Sequence, residues 1–174
     1  MDRKGQAAME FLMTYGWAIL VVLAAIAALA YFGVLSPSKM LPERTTFSAP
    51  LPSIDNAVIN QDGTIQIAFM NNVGVAIDLT GEGGVTPATG ISCTSVATVT
   101  ATLSNGTAVA VNADPTSADD IQNGEKFIVT WTCTPTGTVK QGQKFKADSM
   151  YFTYRNTETN QARRHTGTVD GKYQ

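Results

Sequence analysis

Few residues in this chain could do chemistry, and the first is an acid at the edge of an oily stretch. Glu10 lies inside QAAMEFLMTYGWAILVVLAAIAALAYFGVL, residues 6–35, and no charged residue follows it from Phe11 to Leu35. A carboxylate that leaves water needs a proton, hydrogen bonds or a cation. Ionisable groups inside membrane segments default to function. Cys93 and Cys133 are the two thiols. An even count in a chain that enters a membrane with a domain behind it predicts one disulfide outside the cytoplasm; two buried thiols are the alternative. The bridge would close a loop of about 40 residues, worth ~4 kcal/mol in the chain-entropy model. Asn105-Gly106-Thr107 is the one N-x-[ST] sequon, so Asn105 is a candidate glycan acceptor. The same Asn-Gly also suits a hairpin turn on its own account.

The remaining candidates are weaker. Asp114, Asp119 and Asp120 could help hold calcium, but their spacing matches no calcium loop, and Pro115 with Ser117 reads as a solvated turn. Arg163, Arg164 and His165 could meet an anion or a surface. The preferred reading is a charged edge strand that blocks unwanted pairing. Nucleophilic catalysis has one histidine and no G-x-S-x-G elbow to work with. Gly81-Glu82-Gly83-Gly84 reads as a turn, since no helical pattern follows to bring amides to a phosphate. Zinc lacks ligands. The net charge of −2, with basic residues scattered and no aromatic residues among them, gives nucleic acid nothing to bind. The expectation is a non-enzymatic chain with no cofactor, no metal and no nucleic-acid partner.

Two kinds of element must position these residues. The uncharged run, as a helix, measures ~37 Å, more than the ~30 Å of a bilayer's hydrocarbon core. Ala24, Ala25, Ala27 and Ala28 narrow its middle, and small residues let helix backbones approach closely. Pro37 ends the helix. Ser36-Pro37-Ser38, Pro42, Pro50 and Pro52 mark a linker, with a short strand expected around Thr45–Ser48. After it the pattern has a period of two. Ile65, Ile67 and Phe69 alternate with polar neighbours, as do Val75, Ile77 and Leu79, then Val99, Ala101 and Leu103. Val109 and Val111 return after Asn105-Gly106, and Phe127, Val129, Trp131 and Cys133 share one face. Phe145 and Ala147 face one way and Met150, Phe152 and Tyr154 the other, so a bulge is expected near Asp148-Ser149. The fold class is α+β: a long hydrophobic helix followed by an antiparallel, immunoglobulin-like β-sandwich. The expected division is a short charged segment over residues 1–5, a helix over 6–36, a linker over 37–52 and a head over 53–174.

Three readings compete for the N-terminus. Arg3 and Lys4 before an apolar run, with Ala28-Leu29-Ala30 as a cleavage site, fit a secretory signal peptide, though Glu10 fits it poorly. Arg3 and Lys4 also fit the cytoplasmic flank of a permanent anchor. The third reading comes from Arg3-Lys4-Gly5-Gln6-Ala7-Ala8-Met9-Glu10, which resembles the class III signal of archaeal type IV pilin-like proteins. The basic pair and small residue, the Gln, the Ala two positions on and the Glu at mature position five are all present. The run from Phe11 to Leu20 is similar too, and one looser position differs, with Thr14 where a Leu is usual. A terminal hairpin with Gly142, Tyr154 and Gly167–Lys172 adds a less specific likeness. The resemblance implies cleavage between Gly5 and Gln6 by a prepilin peptidase. It implies storage of the helix in the cell membrane, and assembly with copies of itself into a helical filament by an ATPase-driven membrane platform. It also implies an extracellular adhesive role. The α-amino group released at Gln6 could then pair with Glu10 once helices bundle. The alternative function is a membrane-anchored or secreted β-sandwich binding protein that does not polymerise.

Overall fold

The computed structural model describes residues 3–31, 42–89, 98–111, 120–134 and 137–174. The chain forms two compact units, Met1–Leu41 and Pro42–Gln174. In the first, α1 spans Arg3–Tyr31. Alanine, leucine and methionine dominate it, all strong helix formers, and it holds no proline. Phe11 and Tyr15, one turn apart, bring their rings to a centroid separation of 4.5 Å.

The second unit is an antiparallel sandwich. Its strands are β1 (Arg44–Phe47), β2 (Val58–Ile59), β3 (Thr64–Met70), β4 (Ile77–Thr89), β5 (Thr98–Leu103), β6 (Ala108–Val109), β7 (Lys126–Thr132), β8 (Lys144–Asn156) and β9 (Ala162–Lys172). One sheet runs β1-β9-β8-β4 and the other β2-β3-β7-β5, with β6 beside β5. The long strand β4 joins them at one corner, where Glu82 pairs with Thr98. The expected period-two faces of β3, β5 and β7 are the inward faces: Ile65, Ile67, Phe69, Val99, Ala101, Phe127, Val129 and Trp131 are buried.

The core is aromatic at its centre. Phe47, Phe152 and His165 come from one sheet, and Phe69, Phe127 and Trp131 from the other. Phe69 meets Phe47 edge-on at 5.0 Å and Phe152 at 5.1 Å, the arrangement that the ring quadrupole favours. The Trp131 indole N–H donates across the sandwich to the carbonyl of Tyr151 at 3.0 Å, so the one polar atom of that ring is satisfied in the core.

Several expectations are corrected. Gly81 to Gly84 form no turn and lie within β4. Gly81 has φ +79°, and the β4–β8 register shifts between Leu79 and Gly83, so the strand bends there. Gly83 is glycine for packing: a Cβ would overlap the Val99 side chain and stand 3.2 Å from the Trp131 Nε1. At Gly84 a Cβ would run into the Tyr151 ring. The bulge in β8 is present, with a register shift between Ala147 and Met150. Its effect is to return Met150, Phe152 and Tyr154 to the same buried side as Phe145 and Ala147, rather than to the opposite one. The expected linker contributes to the core as well. β1 pairs with β9, and Phe47 and Leu51 are buried as part of the core between the sheets.

Candidate functional site

Helix α1 is built from residues that have no business in water. Met9, Phe11, Met13, Tyr15, Trp17 and Ile19 are exposed, as are Leu20, Leu23 and Ile26 further along. These positions fall on every side of the helix, so no single face can be buried against one neighbour. Such a helix fits a membrane anchor or a signal sequence. The segment Ala8–Tyr31 is long and apolar enough to cross a bilayer.

Glu10 is exposed within the first turn of that segment. Gly5 and Gln6 lie in helical backbone, which places Gln6 four residues and about 6 Å of rise before Glu10. Ala24, Ala25, Ala27 and Ala28 are exposed in the middle of α1. Ala24 and Ala28 share a face, and Ala25 and Ala28 an adjoining one. The arrangement would allow close backbone approach on more than one side, with one carboxylate near the start of the apolar segment.

In the head, Cys133 is buried two residues from Trp131 on the inward face of the sheet. Cys93 lies outside the described residues, so no disulfide is seen among them. Asp114 and Asp119 also lie outside the described residues. Among the described residues no three His, Cys, Asp or Glu side chains come together as a metal site would need. Asn105 sits exposed on a three-residue hairpin loop, Ser104 to Gly106, and not on the two-residue Asn-Gly turn that its sequence suggests. The difference arises because Leu103 N–H bonds to Thr107 and only Gly106 takes a positive φ.

Arg163, Arg164 and His165 do not act as one cluster. β1 pairs with β9 over Gly167–Asp170, which leaves Ala162–Thr166 as edge. Arg164 stacks on the Tyr151 ring with 3.8 Å from its guanidinium carbon to the centroid. Arg163 acts on Tyr154, whose hydroxyl pKa burial raises and the guanidinium partly lowers. His165 turns the other way, into the core. It is 6% exposed among Phe47, Phe69 and Phe152, and its Nε2–H donates to the Leu51 carbonyl at 2.8 Å. Burial lowers its pKa below the ordinary 6.5, and the hydrogen bond opposes that only in part.

A testable pH dependence follows. A histidine that is harder to protonate when folded stabilises the native head fully above pH ~6.5, and that stability falls as pH drops through the folded pKa. This is the chain's sole histidine. Thermal melts of the full chain should therefore show a lower Tm at pH 5.5 than at pH 7.5. In His165→Gln the Tm should be lower at pH 7.5 but nearly flat across that interval.

Set against protein-family models, curated proteins and solved structures, the chain matches none.

Proposed function

We propose that this chain is the structural subunit of a surface filament of the archaeal type IV pilus kind. In this reading a prepilin peptidase removes residues 1–5, and the helix from Gln6 waits in the cell membrane. An ATPase-driven platform then moves it into a fibre core made of copies of itself. The β-sandwich heads form the outside and make adhesive contacts. The observation that carries the reading is α1: apolar on every side, with one acid a single turn after the Gly5–Gln6 bond. Lipid satisfies such a helix for as long as Glu10 reaches the headgroups. A bundle satisfies it better once the Gln6 amine neutralises that acid.

The second reading is a membrane-anchored extracellular head that never polymerises, favoured by the fact that Ala8–Tyr31 alone can span a bilayer. The native N-terminus and intact mass separate the two from each other and from a secreted protein. We expect the mature chain to start at Gln6. A retained Met1 would favour the plain anchor, and a start at Tyr31 would make α1 a discarded signal peptide.

A further inference from the structure

We propose that Asn105 is an N-glycosylation acceptor, and that the first sugar of its glycan is a neutral, hydroxyl-rich ring lying in the groove beside it. This rests on the reading that the head lies outside the membrane. The hairpin tip presents the acceptor openly: Asn105, Gly106 and Thr107 are all exposed. Two main-chain bonds close the loop, Leu103 N–H to the Thr107 carbonyl at 2.8 Å and Gly106 N–H to the Leu103 carbonyl at 2.9 Å. The Asn105 Oδ1 accepts from the Thr107 N–H at 2.9 Å. Its Nδ2, the atom a glycan would use, donates to nothing among the described residues.

The turn explains two of the three residues. Asn105 closes it with its carboxamide oxygen, and Gly106 supplies a φ of +86°. Thr107 contributes only backbone atoms, and its hydroxyl bonds to nothing among the described residues. A free hydroxyl two residues after an asparagine serves no purpose in the turn, yet is what the glycosylation sequon requires. Substitution at Nδ2 leaves Oδ1 an acceptor, so the loop survives the modification.

Beside the acceptor is a groove of about 320 Å³, lined by Asn105, Thr107, Val109, Asp120, Gln122 and Glu125 among others. Its carboxylates and amides suit sugar hydroxyls, Val109 suits a C–H face, and the two acids repel an acidic sugar. The donor is an oligosaccharide linked to a polyprenyl diphosphate. The Asn105 Nδ2 attacks the anomeric carbon as the bond from that carbon to the diphosphate oxygen breaks. The bonding pair leaves with the diphosphate, and Nδ2 gives up one proton to a base of the transferase. No oxidant or reductant is involved.

The test is peptide mass spectrometry with glycan fragmentation on the full chain purified from the cells that make it, with the native N-terminus read from the same sample. Wild type and Thr107→Ser should carry sugar on Asn105, with a neutral residue first. Thr107→Ala should be bare, with its loop intact because the bonds closing it are main-chain. Unmodified wild-type Asn105 overturns the proposal, and an acidic first sugar overturns the groove assignment. A start at Gln6 with bare Asn105 defeats the glycan and leaves the filament reading standing. A retained Met1 with glycosylated Asn105 does the reverse.

Discussion

A chain carrying Glu10→Ala is expected to reach the membrane, be trimmed, and assemble no fibres. Removing an acid from the edge of an apolar helix makes membrane insertion easier, so the stored pool should not shrink. Assembly is where the loss falls. In the bundle the Gln6 amine would be buried without its counter-charge, and breaking a buried ion pair by removing one partner costs ~3–5 kcal/mol. At ~1.4 kcal/mol per tenfold, that weakens each subunit's addition by more than about 100-fold. Electron microscopy of cell surfaces should find no fibres while membrane fractions retain the chain at its wild-type mature mass. Glu10→Gln keeps a hydrogen-bond acceptor and loses the charge, so it should fail nearly as badly. Normal fibres from either variant would remove the role assigned to this carboxylate.

The second large effect is expected in the head, at Asn71→Asp. Asn71 is fully buried, and all of its polar atoms are engaged. Nδ2 donates to the carbonyls of Val75 and Ile121, both at 2.9 Å, and Oδ1 accepts from Val73 N–H at 3.0 Å. Its main-chain N–H donates to Glu125 at 2.9 Å, and its carbonyl accepts from Gly124 at 2.6 Å. One residue thus ties the end of β3 to the 71–76 turn and to the 120–125 segment that leads into β7. Aspartate has the same shape and lacks the two donors. It would set a carboxylate oxygen against two carbonyls, leaving that of Val75 unpaired at ~1–3 kcal/mol and that of Ile121 with only its bond from Ile77 N–H, with the further cost of a buried charge or a forced proton. We expect a loss of ~4 kcal/mol or more, a large share of the ~5–15 kcal/mol that holds a typical domain. Urea unfolding of the detergent-solubilised full chain, followed by near-UV circular dichroism, should show the midpoint collapse. A stability within about 1 kcal/mol of wild type would contradict this account of the junction.

Those two residues differ in how far their sequence context reveals them. Glu10 stands out in the sequence as a candidate, because a lone acid beside twenty-five uncharged residues has no local explanation. The strands were legible for a related reason: a half-buried sheet writes its period of two into the chain. What escaped depends on contacts distant in sequence. Asn71 precedes Asn72 and reads as an ordinary turn residue, while its partner Ile121 lies 50 positions on. Gly83 and Gly84 look like loop glycines until Val99 and Tyr151 pack against them. His165 sits among polar neighbours and reads as edge. It is core because Leu51, 114 positions earlier, offers its carbonyl. Phe47 and Leu51 were the available signal that the proline-rich stretch belonged to the head, since a solvated linker has no use for them.

The central claim is that α1 works inside a fibre of its own copies. A helical reconstruction of filaments sheared from the surface of the cells that make this chain tests it most directly. We expect a core of α1 helices packed through Ala24–Ala28, with Glu10 beside a Gln6 amine and β-sandwich heads outside. Surface filaments that lack this chain, with the chain recovered as a membrane-embedded monomer, would contradict it.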